Sequence, residues 1–231
     1  NYRNTLQLVD SNYVSTSGID NDFNFSIGPL HNKKCTEKYP GSKWTMTFFA
    51  GFTGAPGMPA SANLSTFRSW ELWWGITQYE YWATRHHAFT VGLGVDWRNY
   101  RMHDDVRFAL DNAEHLGLTG YPDGVNPQFS RIKVFSLTFP VQYMFKAGKF
   151  GFSLGPVINL NTHASVLSKW KEDGRTVKES RKDIHVNPVT VDFMTTLRGP
   201  FGNYYLKYSP SYLVKDGWGL RFHTLSFGVF L

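Results

Sequence analysis

A two-residue alternation of apolar and polar side chains runs through most of the chain from Trp44 onward. Between Phe150 and Asn161 the even positions carry Phe, Leu, Ile and Pro, whereas the odd positions carry Gly, Ser, Asn and Val. A period of two places successive side chains on opposite faces of a β-strand, whereas a helix would repeat its apolar residues every 3.6 positions. The sequence therefore predicts an all-β fold.

The alternation predicts eight strands, each with one apolar face and one face rich in Gly, Ser and Thr. A soluble sandwich also alternates, but its polar face is open to water and carries more Lys, Glu and Arg. Small and polar side chains suit the lumen of a narrow eight-stranded antiparallel transmembrane β-barrel. The predicted strands are Trp44–Thr53, Trp70–Thr77, Phe89–Arg98, Phe135–Phe145, Phe150–Asn161, Val189–Arg198, Tyr204–Ser209 and Thr224–Leu231.

The connections between these strands alternate in length. Transmembrane barrels have short periplasmic turns and longer extracellular loops, so the sequence predicts both ends of the barrel on the periplasmic side. The last outer link, Lys215–Trp218, is expected to be short. The predicted turns are Ala83–His86, Ala147–Lys149 and Gly199–Gly202, and the predicted long loops are Ala55–Ser65, Arg101–Ser130 and Thr162–His185.

Aromatic residues make up 17% of a chain whose mean hydropathy is only -0.33. Such an excess is typical of membrane barrels, which carry aromatic girdles at both membrane interfaces, so we expect a location in the bacterial outer membrane. Residues 1–42 alternate poorly and are predicted to form a periplasmic N-terminal extension ahead of a barrel over residues 43–231. The predicted girdle residues are Trp44, Trp70, Trp74, Trp82, Trp97, Tyr143, Tyr204 and Trp218.

The central hairpin carries a resemblance to a known family. The run from Phe135 to Tyr143 contains Pro140, and a Lys-containing turn joins it to Phe152-Ser-Leu-Gly-Pro156. This pattern is similar to the outer-membrane β-barrels of Bacteroidetes that include PorT-like proteins. The resemblance implies a non-enzymatic barrel, accessory to secretion or envelope assembly, that tolerates proline within its strands at bulges.

Charged residues of both signs occupy positions on the polar face of the predicted strands. Isolated charges are costly in a medium of low dielectric, so we expect opposite signs to pair in the lumen. A gated pore or proton path is the alternative, although eight strands leave little open lumen. The predicted lumen charges are Glu71, Asp96, Arg98, Asp192, Arg198 and Lys207.

The tripeptide His163-Ala-Ser165 resembles part of the active site of PagL-type lipid A deacylases, in which a His activates a Ser nucleophile. This resemblance implies a lipid A-modifying hydrolase as an alternative function. Such a site needs an acidic group to orient the His, and the sequence assigns none. We therefore predict no catalytic residues and no cofactor.

The predicted loop over residues 101–130 contains His103, Asp104, Asp105, Asp111, Glu114 and His115. These residues match no recognised ligand spacing, so the sequence predicts no metal site. We expect a short surface helix over Asp104–His115, in a loop that covers the barrel mouth or docks a partner.

The formal net charge of +6 and the pI near 9.3 favour acidic partners. Lipopolysaccharide fits better than nucleic acid, because the alternation already explains the aromatic residues. Other envelope proteins are expected to bind through residues 101–130, residues 162–185 and the N-terminal extension, so the leading prediction is an accessory or scaffold subunit of an envelope complex. Predicted lipopolysaccharide or partner contacts are Lys169, Lys171, Arg175, Lys178, Arg181, Lys182 and Arg221.

Overall fold

A computed structural model describes residues 39–56, 58, 64–102, 106–182 and 184–231. The extension predicted over residues 1–42 lies, except for its last four residues, outside this range. No helix in the described part of the chain is both long enough and apolar enough to cross a membrane.

The described residues form eleven strands and one short 3-10 helix, Thr66–Arg68. The strands are β1 (Gly41–Gly54), β2 (Trp70–Trp82), β3 (His87–Arg101), β4 (Val106–Leu110), β5 (Leu116–Gly120), β6 (Asn126–Ala147), β7 (Phe150–Glu172), β8 (Arg175–Lys182), β9 (Val189–Gly199), β10 (Gly202–Ser209) and β11 (Thr224–Phe230).

Eight of the strands pair in a ring. The order is β6-β3-β2-β1-β11-β10-β9-β7, every pair is antiparallel, and β7 pairs again with β6. These are the eight strands that the alternation predicts. Three further strands were not predicted: β8 extends the sheet from β7, and β4 and β5 form a separate hairpin.

The ring has one end with short turns and one end with long loops. The short-turn end carries the connections 83–86, 148–149 and 200–201, close to the predicted turns. The long-loop end carries segments 55–69, 102–125, 173–188 and 210–223. The prediction of a short final link at Lys215–Trp218 was wrong, because Leu213, Val214 and Phe222 turn into a hydrophobic core instead of continuing the alternation.

The predicted loops Arg101–Ser130 and Thr162–His185 were also wrong in part. β6 already begins at Asn126, and β7 continues to Glu172 before β8 folds back onto it. The described residues of the stretch Asp104–His115 contain no helix: β4 occupies residues 106–110, and β5 follows at Leu116. The carboxylate of Asp111 accepts hydrogen bonds from the backbone N–H of Ala113 and of His115, and this side-chain turn reverses the chain.

The two strand prolines lie where the ladder is interrupted. In the pairing of β6 with β7, two residues of each strand are unpaired between the pairs Pro140–Val157 and Tyr143–Leu154. The register is the same on both sides of this gap. The prolines therefore do not lie at bulges. The backbones approach closely here, since a Cβ atom on Gly155 would lie 2.1 Å from the carbonyl oxygen of Val141. Only glycine fits that position.

The largest hydrophobic core lies at the long-loop end and not inside the ring. We call this region the cap: β4, β5, β8, the end of β3 with Met102, the distal parts of β6 and β7, and segments 184–188 and 210–223. Its buried side chains are Tyr100, Met102, Phe108, Leu116, Ile132, Val134, Ala164, Val166, Ile184, Leu213, Val214 and Phe222.

Candidate functional site

Five of the six predicted lumen charges meet in one cluster inside the ring. The Nζ atom of Lys207 lies 2.8 Å from Oδ2 of Asp96 and also contacts the carboxylate of Glu71. The Nε atom of Arg98 lies 3.4 Å from the same Asp96 oxygen, and its Nη1 lies 3.7 Å from Oδ2 of Asp192. All five side chains are buried. Pairing at these distances offsets part of the cost of taking each charge out of water.

Neutral side chains that the sequence analysis did not single out add hydrogen bonds to the cluster, although Oδ1 of Asp96 and Oδ1 of Asp192 have no hydrogen-bond partner among the described residues. The hydroxyl of Tyr205 donates to Glu71 at 3.2 Å, and the amide of Asn159 donates to Asp192 at 2.8 Å. The only sequence signal that could have identified them is their position on the inward-facing side of the strand alternation. The neutral partners of the cluster are Tyr205, Asn159, Ser136 and Asn161.

Arg198 does not join the cluster, so its predicted place in the network was wrong. It lies on β9 six positions from Asp192, which corresponds to about 20 Å along an extended strand. Its guanidinium lies 5.2 Å from the ring centroid of Phe230, near the short-turn end. Strand parity gives the face of a residue but not its height in the barrel.

An aromatic layer fills the lumen on the short-turn side of the charge cluster. Phe49 stacks on Trp73 with 4.3 Å between ring centroids and on Phe230 with 5.0 Å. Val157, Met194 and Tyr205 pack in the same layer. These large side chains are buried and pack on one another across the interior at this level.

Trp82 lies inside the ring and not in the predicted girdle. Its Nε1 donates to Oε2 of Glu80 at 3.1 Å, and Lys43 lies 3.3 Å from the same oxygen. The prediction failed because the register of β2 shifts between Gly75 and Thr77. One extra residue in a strand moves every later side chain to the opposite face.

The predicted basic contacts of residues 169–182 divide between two faces of the β6-β7-β8 sheet. Pairing places Lys169 opposite Lys178, and Lys182 opposite Ser165, on the face that points away from the hydrophobic core of the cap. Lys171 shares this face, since it lies two positions from Lys169.

Arg175 and Arg181 lie on the other face of β8, opposite Glu172 and Val166 respectively. The remaining predicted contact, Arg221, lies in segment 210–223 and pairs with Asp216. The structure therefore does not bring the predicted basic residues into one site.

His163 and Ser165 share the outward face of β7, opposite Phe135 and Lys133 of β6. Among the described residues neither side chain hydrogen-bonds to the other, and no carboxylate contacts His163. A cavity of about 250 Å³ beside His163 is also lined by His185. Because a nucleophilic Ser-His pair needs an acid that orients the His, the described geometry supplies no triad.

The His and acidic residues near β4 and β5 do not converge on one point. The backbone N–H of His115 donates to Asp111 at 2.8 Å and its ring Nδ1 lies 3.0 Å from the second carboxylate oxygen. These hydrogen bonds hold the pKa of Asp111 below its ordinary value. Residues 103–105 are outside the described range, and the rest of the described chain contains no group of three or more metal-ligating side chains.

Trp218 lies in the cap, where it stacks on His185 with 3.7 Å between ring centroids, so its place in the predicted girdle was wrong. The other six predicted girdle residues are exposed on the outer surface of the ring. They are Trp44, Trp70, Trp74, Trp97, Tyr143 and Tyr204.

A belt of exposed apolar side chains surrounds the ring between the two ends. A water-soluble protein rarely exposes a continuous apolar surface of this kind. A closed antiparallel ring has no free edge, so it satisfies its backbone hydrogen bonds in hydrocarbon. Members of this apolar belt include Phe48, Phe52, Val91, Leu93, Val141, Leu154, Phe193, Leu206 and Val229.

The ring, the apolar belt and the polar interior together define an integral outer-membrane β-barrel, located in the bacterial outer membrane. The short-turn end is then periplasmic and the long-loop end extracellular. No family model matches the sequence, and no curated protein matches it.

Among solved structures, the chain is similar to Ail, the attachment invasion locus protein of Yersinia pestis. The identity is 13%, the TM-score is 0.32, and the match covers 83% of this chain and 99% of Ail. At that TM-score the likeness adds nothing to the assignment, which rests on the strand pairing and the exposed belt.

Proposed function

We propose that the chain is a non-enzymatic outer-membrane barrel that serves as an accessory or scaffold subunit of an envelope complex for secretion or outer-membrane assembly. In this proposal the chain is related to the PorT-like barrels that its central hairpin resembles. Its partners are other envelope proteins, bound through the cap and the N-terminal extension, and the lipopolysaccharide around it.

The observation that carries the proposal is the filled lumen beneath a folded cap. The charge cluster and the aromatic layer occupy the interior at two levels, which argues against a solute pore. The described residues also lack an oriented acid beside His163, which argues against a hydrolase.

The cap supports a role in binding because it is built as a rigid surface. The hairpin of β4 and β5 is held by Arg107, whose guanidinium pairs with Glu179 and lies 4.9 Å from the ring centroid of Trp170. The side chain of Ser130 accepts from the backbone N–H of Phe108 at 2.9 Å. Such contacts fix the extracellular surface in one shape, and a preorganised surface loses less entropy when a partner binds.

Two measurements test the proposal. The full chain in planar lipid bilayers is expected to conduct no ions, and discrete conductance steps would contradict the absence of a pore. A photo-crosslinking residue in place of exposed Thr119 on β5 is expected to form one discrete adduct in intact cells. The same residue in place of Lys149, in a periplasmic turn, is the control for non-specific crosslinking. Absence of a discrete adduct from position 119 would count against a partner at the cap.

A further inference from the structure

The two faces of β6 exchange their polarity where the strand leaves the belt. Up to Phe135 the outward side chains are apolar, whereas the next two outward residues are Lys133 and Arg131. The inward side changes in the opposite sense, since Ile132 and Val134 are buried in the cap. This inversion marks the passage from hydrocarbon to water. Along the strand Lys133 therefore lies about 7 Å, and Arg131 about 13 Å, beyond Phe135, within the layer of lipid headgroups.

Every charged side chain on this outward face of β3, β6, β7 and β8 is a cation. The carboxylates of the same strands lie on the opposite face, where Glu179 pairs with Arg107 and Glu172 lies opposite Arg175. We call the outward set the cationic face. Its members are Arg101, Arg131, Lys133, Lys169, Lys171, Lys178 and Lys182.

Two arginines of the cationic face contact the same aromatic ring. Arg101 of β3 and Arg131 of β6 are direct cross-strand partners. Their guanidinium carbons lie 5.0 and 5.2 Å from the ring centroid of Phe129, so one ring orients both groups.

The charges of Arg101 and Arg131 are not compensated by the described residues. The Nε atoms of both are buried without a hydrogen-bond partner, and neither side chain makes an ion pair within the described range. Two like charges held side by side repel each other, and a bound anion would relieve this repulsion.

We propose that the cationic face binds the phosphate groups of lipid A in the outer leaflet, with Arg101 and Arg131 at the centre of the site. Guanidinium groups form paired hydrogen bonds with phosphate oxygens, and the lysines around them add positive charge. The acyl chains of the same lipid would lie against the apolar belt directly below. This inference rests on the proposed function and deepens its lipopolysaccharide contact by assigning the site.

The test compares two double variants that lose the same charge. Arg101→Gln with Arg131→Gln removes the centre of the site, whereas Arg175→Gln with Arg181→Gln removes two cations from the opposite face of β8. The full chain is reconstituted into phosphatidylcholine nanodiscs and titrated with bis-phosphorylated lipid A, and the change in tryptophan fluorescence is followed. The Arg101/Arg131 variant is expected to bind roughly tenfold more weakly or worse, and the Arg175/Arg181 variant like the unmodified chain.

Two further arms identify the ligand. Lipid A without its phosphates is expected to bind the unmodified chain and both variants equally weakly. Inorganic phosphate at the same concentration is expected to compete poorly, and full competition would assign the site to free phosphate instead. Equal binding of bis-phosphorylated lipid A by all three proteins, or equal weakening in both variants, would overturn the proposal.

Retained folding is checked by the heat-induced shift in gel mobility of each protein. A chain that fails to insert into nanodiscs at all would contradict the barrel assignment. Normal insertion with equal binding of lipid A with and without its phosphates would contradict only the proposed phosphate site.

Discussion

The Nζ atom of Lys207 on β10 lies 2.8 Å from Oδ2 of Asp96 on β3, and these strands are not neighbours in the ring. The pair therefore crosses the lumen. Lys207 also contacts Glu71 of β2, so one ammonium group links three strands. Removing it would leave Arg98 as the only cation in the cluster, close to three buried carboxylates.

We expect Lys207→Met to lower the free energy of unfolding by about 3–5 kcal/mol, because it leaves three buried carboxylates with Arg98 as their one remaining cation. Urea unfolding in lipid vesicles measures the change. Lys149→Met, an identical substitution in an exposed turn, is the control and should unfold like the unmodified chain. Adding Asp96→Asn to Lys207→Met should recover part of the loss, and a Lys207→Met protein as stable as the Lys149→Met protein would contradict the role of the cluster.

Adjacent tryptophans on β2 point in opposite directions. Trp73 is 1% exposed and lies in the aromatic layer, whereas Trp74 is 45% exposed on the apolar belt. Lipids with brominated acyl chains quench tryptophans that they touch. Trp74→Phe is therefore expected to reduce the quenched fraction of fluorescence, and Trp73→Phe to leave the quenched intensity unchanged while total intensity falls. Equal effects of the two substitutions would mean that the belt does not face lipid.

The ring strands could be predicted because hydrocarbon requires an apolar side chain at every second position, as at Phe89, Val91 and Leu93. The distal parts of β6 and β7 could not. Beyond the belt the outward residues are cations such as Lys133, and the inward residue Val134 is apolar. The alternation continues, but apolar residues now point inward and polar residues outward. In the sequence this exchange looks like the end of a strand.

The lumen cluster was predictable only in part, because parity identifies the inward face and not the height along it. Asp192 and Arg198 share a face of β9 but lie at different levels of the barrel. Trp82 was assigned to the wrong face because an irregularity in β2 is not visible in the sequence. Arg101 and Arg131 were missed because their pairing brings together two positions 30 residues apart.

The seam between the first and last ring strands depends on glycine. A Cβ atom on Gly228 of β11 would lie 2.2 Å from the carbonyl oxygen of Ala50 on β1. Gly228→Ala must therefore push the two strands apart, and overpacking of this kind costs about 1–3 kcal/mol. We expect a lower temperature for the heat-induced gel shift. Gly120→Ala on β5, where no atom lies within 4 Å of the added carbon, is the matched control and should leave the transition unchanged.

The cap is expected to unfold without the barrel when its core is weakened, because the two hydrophobic regions share few side chains. Phe108 is 0% exposed in the cap core, and Phe108→Ala should cost about 3–5 kcal/mol there. Protease added outside intact cells should then cleave between residues 106 and 120, while the remaining barrel keeps its heat-induced gel shift. Phe67→Ala changes a side chain that is 79% exposed at the same end and should cause no cleavage. If Phe108→Ala also abolished the gel shift, the cap and the ring would form a single cooperative unit, and the extracellular surface could not rearrange independently of the membrane-spanning strands.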